Sequence, residues 1–594
     1  MESSSKRKTQ EYPGSQAKKM KLEECPHKER CYRRNPHHFK QFDHPFLIKL
    51  IEMGDLMVIP ENMPQPNQVY KEQIEILKPI LASLRVHESV EKVTDNAEAA
   101  CKSEHMTKAD TVPGGSGSTS TEKVSQKCKT TIFNSTSQIF TSEEDQNACP
   151  PGSMLEKLQR NAPYNFFFTA IPKSPETLKE VNTISFTDLI CPSLGQLKCS
   201  LQVNFIIDID WLLKQYKTRN LHEKPLTIVY GDDWPDIQEF MNKFCPNVKY
   251  HFVKMKDPFG CHHTKLGVYV YEDDSIRVVV STANLYFEDW NHYNQGVWVS
   301  PRLPKLPPNA DSKLGDSPTG FKTHLINYFL TYQLTIFNEW VDYIKRADFS
   351  SVKVALVYSA PGKYYPKSNG NHLYRVGDLL SQHCTLPPKT DAQSEGPLSW
   401  GILAQASSIG SMGKTAGEWL RGSLLRSLAS HKLGPLPNNS QATISVVYPS
   451  VSNVANGYWG LESGGCLPYS KATNEKQRWF QTYLHQWIAD GKHRTRAMPH
   501  IKSYCRISPN LSKLAYFLLT SANLSKSAWG NVMQKNGASY VRSYEMGVMF
   551  LPKFFNEEYF EICDTEDRTN KSLFPFMYDL PLTPYQKNDY PWCN

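Results

Sequence analysis

The chain has 594 residues, 40% of them hydrophobic and 21% charged, and carries a formal net charge of +8 with its histidines neutral. That length suffices for two or three domains around a large core, and so mild a basic excess permits a nucleic-acid partner without requiring one. The fourteen cysteines follow no repeating framework and no apolar run reaches the roughly 20 residues that cross a bilayer, which argues against a disulfide scaffold or a membrane span. With a polar N-terminus that lacks a signal-peptide core, the expectation is a soluble intracellular protein.

Residues 1–21 read as a disordered basic arm. Lys6-Arg7-Lys8 and Lys18-Lys19-Met20-Lys21 are two basic clusters separated by a polar spacer, the pattern of a bipartite nuclear import signal. The expected location is the nucleus, with cytoplasm or mitochondria as secondary sites. Residues 22–46 follow with two cysteines and two histidines in the spacing Cys-x5-Cys-x6-His-x5-His, namely Cys25, Cys31, His38 and His44. These suit a tetrahedral structural zinc site, with His37 a competing register for His38. So short a segment has too little core to fold alone, so the metal would supply much of its stability. The run CYRRNPHHFKQFDHP resembles the poly(ADP-ribose)-binding zinc finger. That resemblance implies that Tyr32 and Arg33 hold an adenine ring and a neighbouring phosphate of poly(ADP-ribose) or of an ADP-ribosylated protein.

Residues 47–160 read as a mostly disordered linker. A short helix over Glu72 to Leu84 is expected, and then the Gly/Ser/Thr-rich stretch from Pro113 has too little periodic apolar content for a core. Beyond it, apolar runs such as Val203–Ile207, Leu226–Tyr230 and Ile276–Val280 alternate with helical patterns, the signature of a layered α/β domain. A long aromatic-rich helix over Thr323 to Ile344 closes the first half, 161–350, and Val352–Tyr358 restarts the pattern in the second, 351–594.

The two halves repeat one motif. In the first, His263-Thr264-Lys265 precedes an apolar strand and Ser281-Thr282-Ala283-Asn284 ends the next, with Gln295-Gly296-Val297 beyond. In the second, His500-Ile501-Lys502 and Ser521-Ala522-Asn523 are followed by Glu545-Met546-Gly547-Val548. A lysine suits a phosphate oxygen as a compact cation, and an asparagine amide adds a neutral donor. Two of each can hold a phosphodiester and stabilise its pentavalent transition state without a catalytic cofactor, while two histidines serve as nucleophile and general acid. One site at a pseudo-twofold interface is therefore expected.

These paired HxK…N motifs resemble the phospholipase D superfamily, and FGCHHTK with STANL in one half and PHIKSY with TSANLSKSAWG in the other resemble its tyrosyl-DNA phosphodiesterase branch. The resemblance covers roughly residues 160 to 594 and implies two similar α/β domains packed pseudo-symmetrically. Val270 stands where the superfamily's usual aspartate falls, which speaks against a lipid phosphodiesterase. A noncatalytic DNA- or poly(ADP-ribose)-binding scaffold is the other alternative, against which stands the retention of every motif residue. The resemblance further implies hydrolysis of a 3′-phosphotyrosyl link between DNA and a topoisomerase-derived peptide, by a monomer that needs no membrane. His263 would attack phosphorus and His500 protonate the tyrosine, with Lys265, Lys502, Asn284 and Asn523 on the phosphoryl oxygens.

Around this centre, Phe259 is expected to stack on a base. The segment Leu398 to Gln405 reads as a strand entering a Ser/Gly-rich turn before a helix at Glu418 to Leu428, a cradle for backbone phosphates. By resemblance Ser407, Ser408 and Ser411 grip the DNA backbone, and Ser525 and Lys526 are candidates beside them. The basic run Lys492-His493-Arg494-Thr495-Arg496 reads equally as a groove lining or an exposed loop. In the superfamily each histidine is backed from the opposite half, so Glu545 would back His263 and Gln295 would back His500. A carboxylate stabilises the charge that grows on an attacking ring, and an amide only orients its partner.

Overall fold

The computed structural model describes residues 23–25, 28–30, 39, 42–53, 59, 70–71, 73–78 and 81, then 152–594 except 233–240, 243–244, 312, 369, 389–398, 434–441, 534–535 and 563–572. The chain divides into two compact units, 1–130 and 131–594. No helix among the described residues is long and apolar enough to cross a membrane.

In the N-terminal unit Glu23–Glu24 pairs in parallel with Phe42–Asp43, and Pro45 opens a helix, Pro45–Glu52, at the first position where its missing N–H costs nothing. Leu47 and Leu50 of that helix are buried with Phe39, Ile59, Tyr70, Ile74 and Leu77. The last three share one face of a helix at i, i+4 and i+7. The expected boundary at 46 therefore falls inside a helix, and the linker's first part is folded. The reason is apolar: the zinc-finger segment alone has no stripe to bury, and these residues provide one. The described part of the helix expected over Glu72 to Leu84 is residues 73–78 and 81, and residues 70–71 precede it.

The larger unit holds two mixed sheets. The first runs in the order Thr183–Ile184, Phe166–Thr169, Gly296–Val299, Ile276–Ser281, Leu266–Tyr271, Leu197–Val203, Leu226–Tyr230, Val248–Phe252. The second runs Ala355–Ser359, Glu545–Phe550, Lys513–Thr520, Ser503–Ile507, Gly401–Gln405, Ile444–Val447, Leu484–His485. From the second strand of the first sheet onward the two match strand for strand, antiparallel through the centre and parallel at the far edge. Leu266–Tyr271 and Ile276–Ser281 are buried throughout, as strands covered on both faces must be. One core joins the halves: the Phe166 ring lies 5.3 Å from Phe517 and 5.9 Å from Phe550. Helix Met154–Arg160 contributes Met154 and Leu158 to the first half's core, so this unit begins before the expected residue 161.

Two further expectations change. The single helix over Thr323 to Ile344 is two, Phe321–Thr331 and Asn338–Arg346, because Gln333 takes a left-handed φ of 55° that no helix continues through. Phe329 and Phe337 stack across the break at 4.7 Å, which burial of both rings favours. Within the basic run at 492–496, Lys492, His493 and Arg496 are exposed, but Arg494 is fully buried and belongs to neither a groove lining nor an exposed loop. Arg494 donates to Thr169 O (2.7 Å), Asn294 Oδ1 (3.0 Å) and Thr183 Oγ1 (2.8 Å) and pairs with Glu180 at 2.9 Å. It staples the second half to the first, with its guanidinium buried and Glu180 partly exposed.

Candidate active site

The motif residues all lie at one end of the three central strands of each sheet. Lys265 and Lys502 immediately precede Leu266–Tyr271 and Ser503–Ile507, Asn284 and Asn523 follow Ile276–Ser281 and Lys513–Thr520, and Gln295 and Glu545 stand at the start of the third strand. Each histidine is delivered by a backbone bridge to the opposite half. His263 N–H donates to Tyr544 O (2.9 Å), and His500 N–H donates to Asn294 O (3.0 Å). Val270, at the superfamily's aspartate position, is buried in the core.

The backing residues also cross between halves as expected. Glu545 Oε2 lies 2.9 Å from His263 Nδ1, and Gln295 Nε2 lies 2.8 Å from His500 Nδ1. Matched hydroxyls anchor both: Thr282 Oγ1 bonds Gln295 Oε1 (2.8 Å) and accepts Gly296 N–H (3.0 Å), while Ser521 Oγ bonds Glu545 Oε2 (2.5 Å) and accepts Met546 N–H (3.0 Å). A hydrogen-bonded carboxylate on Nδ1 holds the proton there and leaves Nε2 of His263 with its lone pair free.

Sequence reasoning missed Asp289. It is fully buried on the short helix Phe287–Asn291, accepts Asn284 N–H at 2.5 Å and sits 3.2 Å from His500 Nδ1. His500 thus has a carboxylate as well as an amide, and the expectation that it is backed by a neutral group alone is corrected. The position five residues after the motif asparagine is Asp289 in one half and Ala528 in the other. A comparison confined to the strand residues overlooks it because the helix returns it from outside the motif.

Burial dominates the electrostatics. It holds His500 down to about 4 against the pull of Asp289, and lowers His263 with help from the Lys265 charge. It pushes Lys265 down to about 8, and Lys502 down to about 7 with Lys265 adding repulsion. Burial raises Glu545 and Asp289, but their histidine partners outweigh it, so both carboxyls stay below their ordinary values. The site therefore holds two ionised carboxylates, two neutral imidazoles and two lysines ready to gain charge when an anion arrives. Each lysine meanwhile donates to the carbonyl of its own motif histidine.

The remaining predicted residues fall into three groups. Ser407 N–H, Ser407 Oγ and Ser408 N–H all donate to Asn523 Oδ1 (3.1, 3.2 and 3.0 Å), and Ser408 Oγ donates to Pro468 O (2.6 Å). The helical stretch expected at Glu418 to Leu428 runs from Leu420 to Leu428, after the turn that holds these serines. Both serines fix the Asn523 amide with its N–H₂ group turned away from them. Ser411 is exposed. Ser525 caps the turn Lys526–Trp529 by accepting Ala528 N–H (3.2 Å), with Lys526 partly exposed. Phe259 is 75% exposed, with the Arg542 guanidinium 5.4 Å from its ring. Arg542, unforeseen from sequence, makes this an aromatic-cationic edge suited to a nucleotide.

In the N-terminal unit the register Glu24↔Asp43 sets Cys25 opposite His44, and both are buried. A thiol and an imidazole brought together inside so small a unit fit half of a structural zinc site. Cys31, His38, His37, Tyr32 and Arg33 lie outside the described residues.

A family profile described as tyrosyl-DNA phosphodiesterase matches residues 165–586. The chain belongs to the tyrosyl-DNA phosphodiesterase family. A PBZ domain profile matches 22–46, so this phosphodiesterase carries a zinc finger of the poly(ADP-ribose)-binding type. Tyrosyl-DNA phosphodiesterase 1 of Drosophila melanogaster is 36% identical over 594 residues, 96% of this chain and 99% of that one. The probable tyrosyl-DNA phosphodiesterase of Caenorhabditis elegans is 31% identical, over 75% of this chain and 92% of that one. The crystal structure of yeast tyrosyl-DNA phosphodiesterase shares the fold, with a TM-score of 0.54 at 23% identity, across 72% of this chain and 99% of that one. The expected two-sheet phospholipase D-like architecture is thereby borne out.

Proposed function

We propose that this enzyme repairs DNA by hydrolysing the phosphodiester that joins a 3′ end to a tyrosine, as a stalled type IB topoisomerase leaves it, and removes other 3′ blocking adducts in the same way. The observation that carries this reading is the crossed pairing of His263 with Glu545 and of His500 with Gln295 and Asp289. Lys265, Lys502, Asn284 and Asn523 hold the phosphoryl oxygens, and the bound anion restores the lysine charges that burial weakens. His263 Nε2 attacks phosphorus while Glu545 accepts its Nδ1–H and stabilises the positive charge that develops. The bond to the tyrosine oxygen breaks as that oxygen takes a proton from His500.

A neutral imidazole is too weak an acid for this, so His500 must take up a proton from solvent as the phosphodiester binds, its negative charge raising the ring's proton affinity, and act as imidazolium. Asp289 is the group that accepts its Nδ1–H. Once Nε2 has given up its proton, Asp289 keeps the remaining one on Nδ1, and the bare Nε2 is ready to take a proton from water. That water breaks the phosphorus–nitrogen bond and releases a DNA 3′-phosphate.

DNA enters along the edge formed by Phe259 and Arg542, with Ser407, Ser408, Ser411, Ser525 and Lys526 on the backbone side. The finger binds zinc through Cys25, Cys31, His38 and His44 and reads poly(ADP-ribose) with Tyr32 and Arg33, directing a monomeric enzyme to damaged chromatin in the nucleus. Zinc there is structural, and none is assigned to catalysis.

The test sets a 3′-tyrosyl oligonucleotide beside phosphatidylcholine. Release of tyrosine and a 3′-phosphate from the first, with no headgroup release from the second, is expected. Lipid hydrolysis, or binding of DNA without cleavage, would overturn the proposal in favour of a lipase or a scaffold.

A further inference from the structure

At the strand ends opposite the catalytic residues lies an open cleft of about 350 Å³. It sits on the seam between the halves. Arg277, Trp298 and Arg302 come from the first half, Lys353 and Phe555 from the second, and Leu158 from the helix Met154–Arg160. Arg277 is the second residue of Ile276–Ser281, whose other end leads to Asn284, so the length of the strand separates this cleft from the catalytic site.

Its charges are unusual for a structural seam. No aspartate or glutamate lines it. Arg302 pairs with Asp273, but among the described residues neither Arg277 nor Lys353 has a carboxylate partner. Arg277 is 5% exposed, donates through Nη1 to Ser300 O at 2.8 Å, and has no hydrogen-bond partner at Nε. The other groups that act on its charge are Tyr271 and a second guanidinium, Arg302. Lys353 lies 5.6 Å from the Phe555 ring. A buried guanidinium without an anion is costly, and an apolar side chain would pack the same seam without that cost. A planar fork of donors beside an apolar wall is, by contrast, what a carboxylate on a flat apolar body requires.

We propose that this cleft is a second ligand site, which takes a small aromatic carboxylate. The head group meets Arg277 and Lys353, the ring system lies among Leu158, Trp298 and Phe555, and the bound molecule bridges the two halves.

Calorimetric titration of the full chain with 1-naphthoate and with the neutral, isosteric 1-naphthamide tests this. Naphthoate should bind one to one, at least about tenfold more tightly than the amide, a difference of about 1.4 kcal/mol. Arg277→Met and Lys353→Met should each remove that preference, and Lys502→Met, at the catalytic end, should retain it. Should Arg277→Met melt early by circular dichroism, the half-exposed Lys353 still decides. Equal binding of acid and amide, no binding at millimolar naphthoate, full binding to Lys353→Met, or loss of binding in Lys502→Met would each overturn the proposal.

Discussion

The two halves of the catalytic unit share strand order, the placement of histidine, lysine and asparagine, and a hydroxyl under each backing residue. They differ in where the carboxylate stands. In the second half it is Glu545, on the strand itself and bonded to His263 (2.9 Å). In the first half the strand position is Gln295, and the carboxylate is Asp289, on a helix, 3.2 Å from His500. The lesson is that the repeat conserves the count of charges at each histidine while moving one of them. His263 has a carboxylate directly on its ring, suited to an attacking nucleophile. His500 has an amide for orientation and a carboxylate that accepts the Nδ1–H hydrogen bond once the ring is charged, suited to a group that alternates between acid and base.

Removal of either histidine should have the largest effect and tell the two roles apart. His263→Ala should lose about 10⁴-fold in turnover and form no covalent adduct with labelled tyrosyl-DNA on a denaturing gel. His500→Ala should form the adduct and release it slowly. Adduct in the first variant and none in the second would exchange the two roles.

Next come the carboxylates. Glu545→Gln should slow adduct formation, and Asp289→Asn should slow both proton transfers so that adduct accumulates, each by about 10²-fold. Single-turnover kinetics separate the steps. Asp289→Asn combined with Gln295→Glu places the first half's carboxylate where the second half has it, and should recover about tenfold of the loss. Wild-type kinetics in Asp289→Asn would remove Asp289 from the mechanism.

A smaller effect distinguishes the lysines. Both are depressed in the free enzyme, Lys502 to about 7 and Lys265 to about 8. A depressed lysine is charged below its shifted pKa and loses that charge as pH rises through it. kcat/KM should therefore fall by at least about tenfold from pH 7 to 9, with the alkaline limb moved upward in Lys502→Arg, whose guanidinium stays charged. A profile flat to pH 9 would show that both lysines keep their protons in the empty site.

The smallest effect on chemistry should come from the finger, which belongs to a separate compact unit. Cys25→Ser with Cys31→Ser, or a chelator, should change kcat on a short substrate by less than about twofold while abolishing poly(ADP-ribose) binding, because loss of the metal unfolds only that small unit. Loss of cleavage on chelation would place a metal in the catalytic chemistry.

The sequence already displays the candidate catalytic set, because His263, Lys265, Asn284, His500, Lys502 and Asn523 recur at strand ends with a spacing that strand geometry imposes. It also determined the two α/β halves, through their alternating apolar runs, and the crossed partnership of Glu545 and Gln295, through family resemblance. Packing alone brings Asp289 to His500, closes Ser407 and Ser408 on Asn523, makes Arg494 a staple, and stands Arg542 beside Phe259. The physical reason is one of range. Motif spacing reports on residues that share a strand or its ends, where the backbone fixes relative position within a few ångströms. A helix return, a loop closing on a distant amide or a buried arginine crossing between halves depends on how separate elements pack, and no local pattern encodes that. The folded first part of the expected linker escaped the sequence for the same reason, since Leu47, Leu50, Tyr70, Ile74 and Leu77 become a core only when they meet.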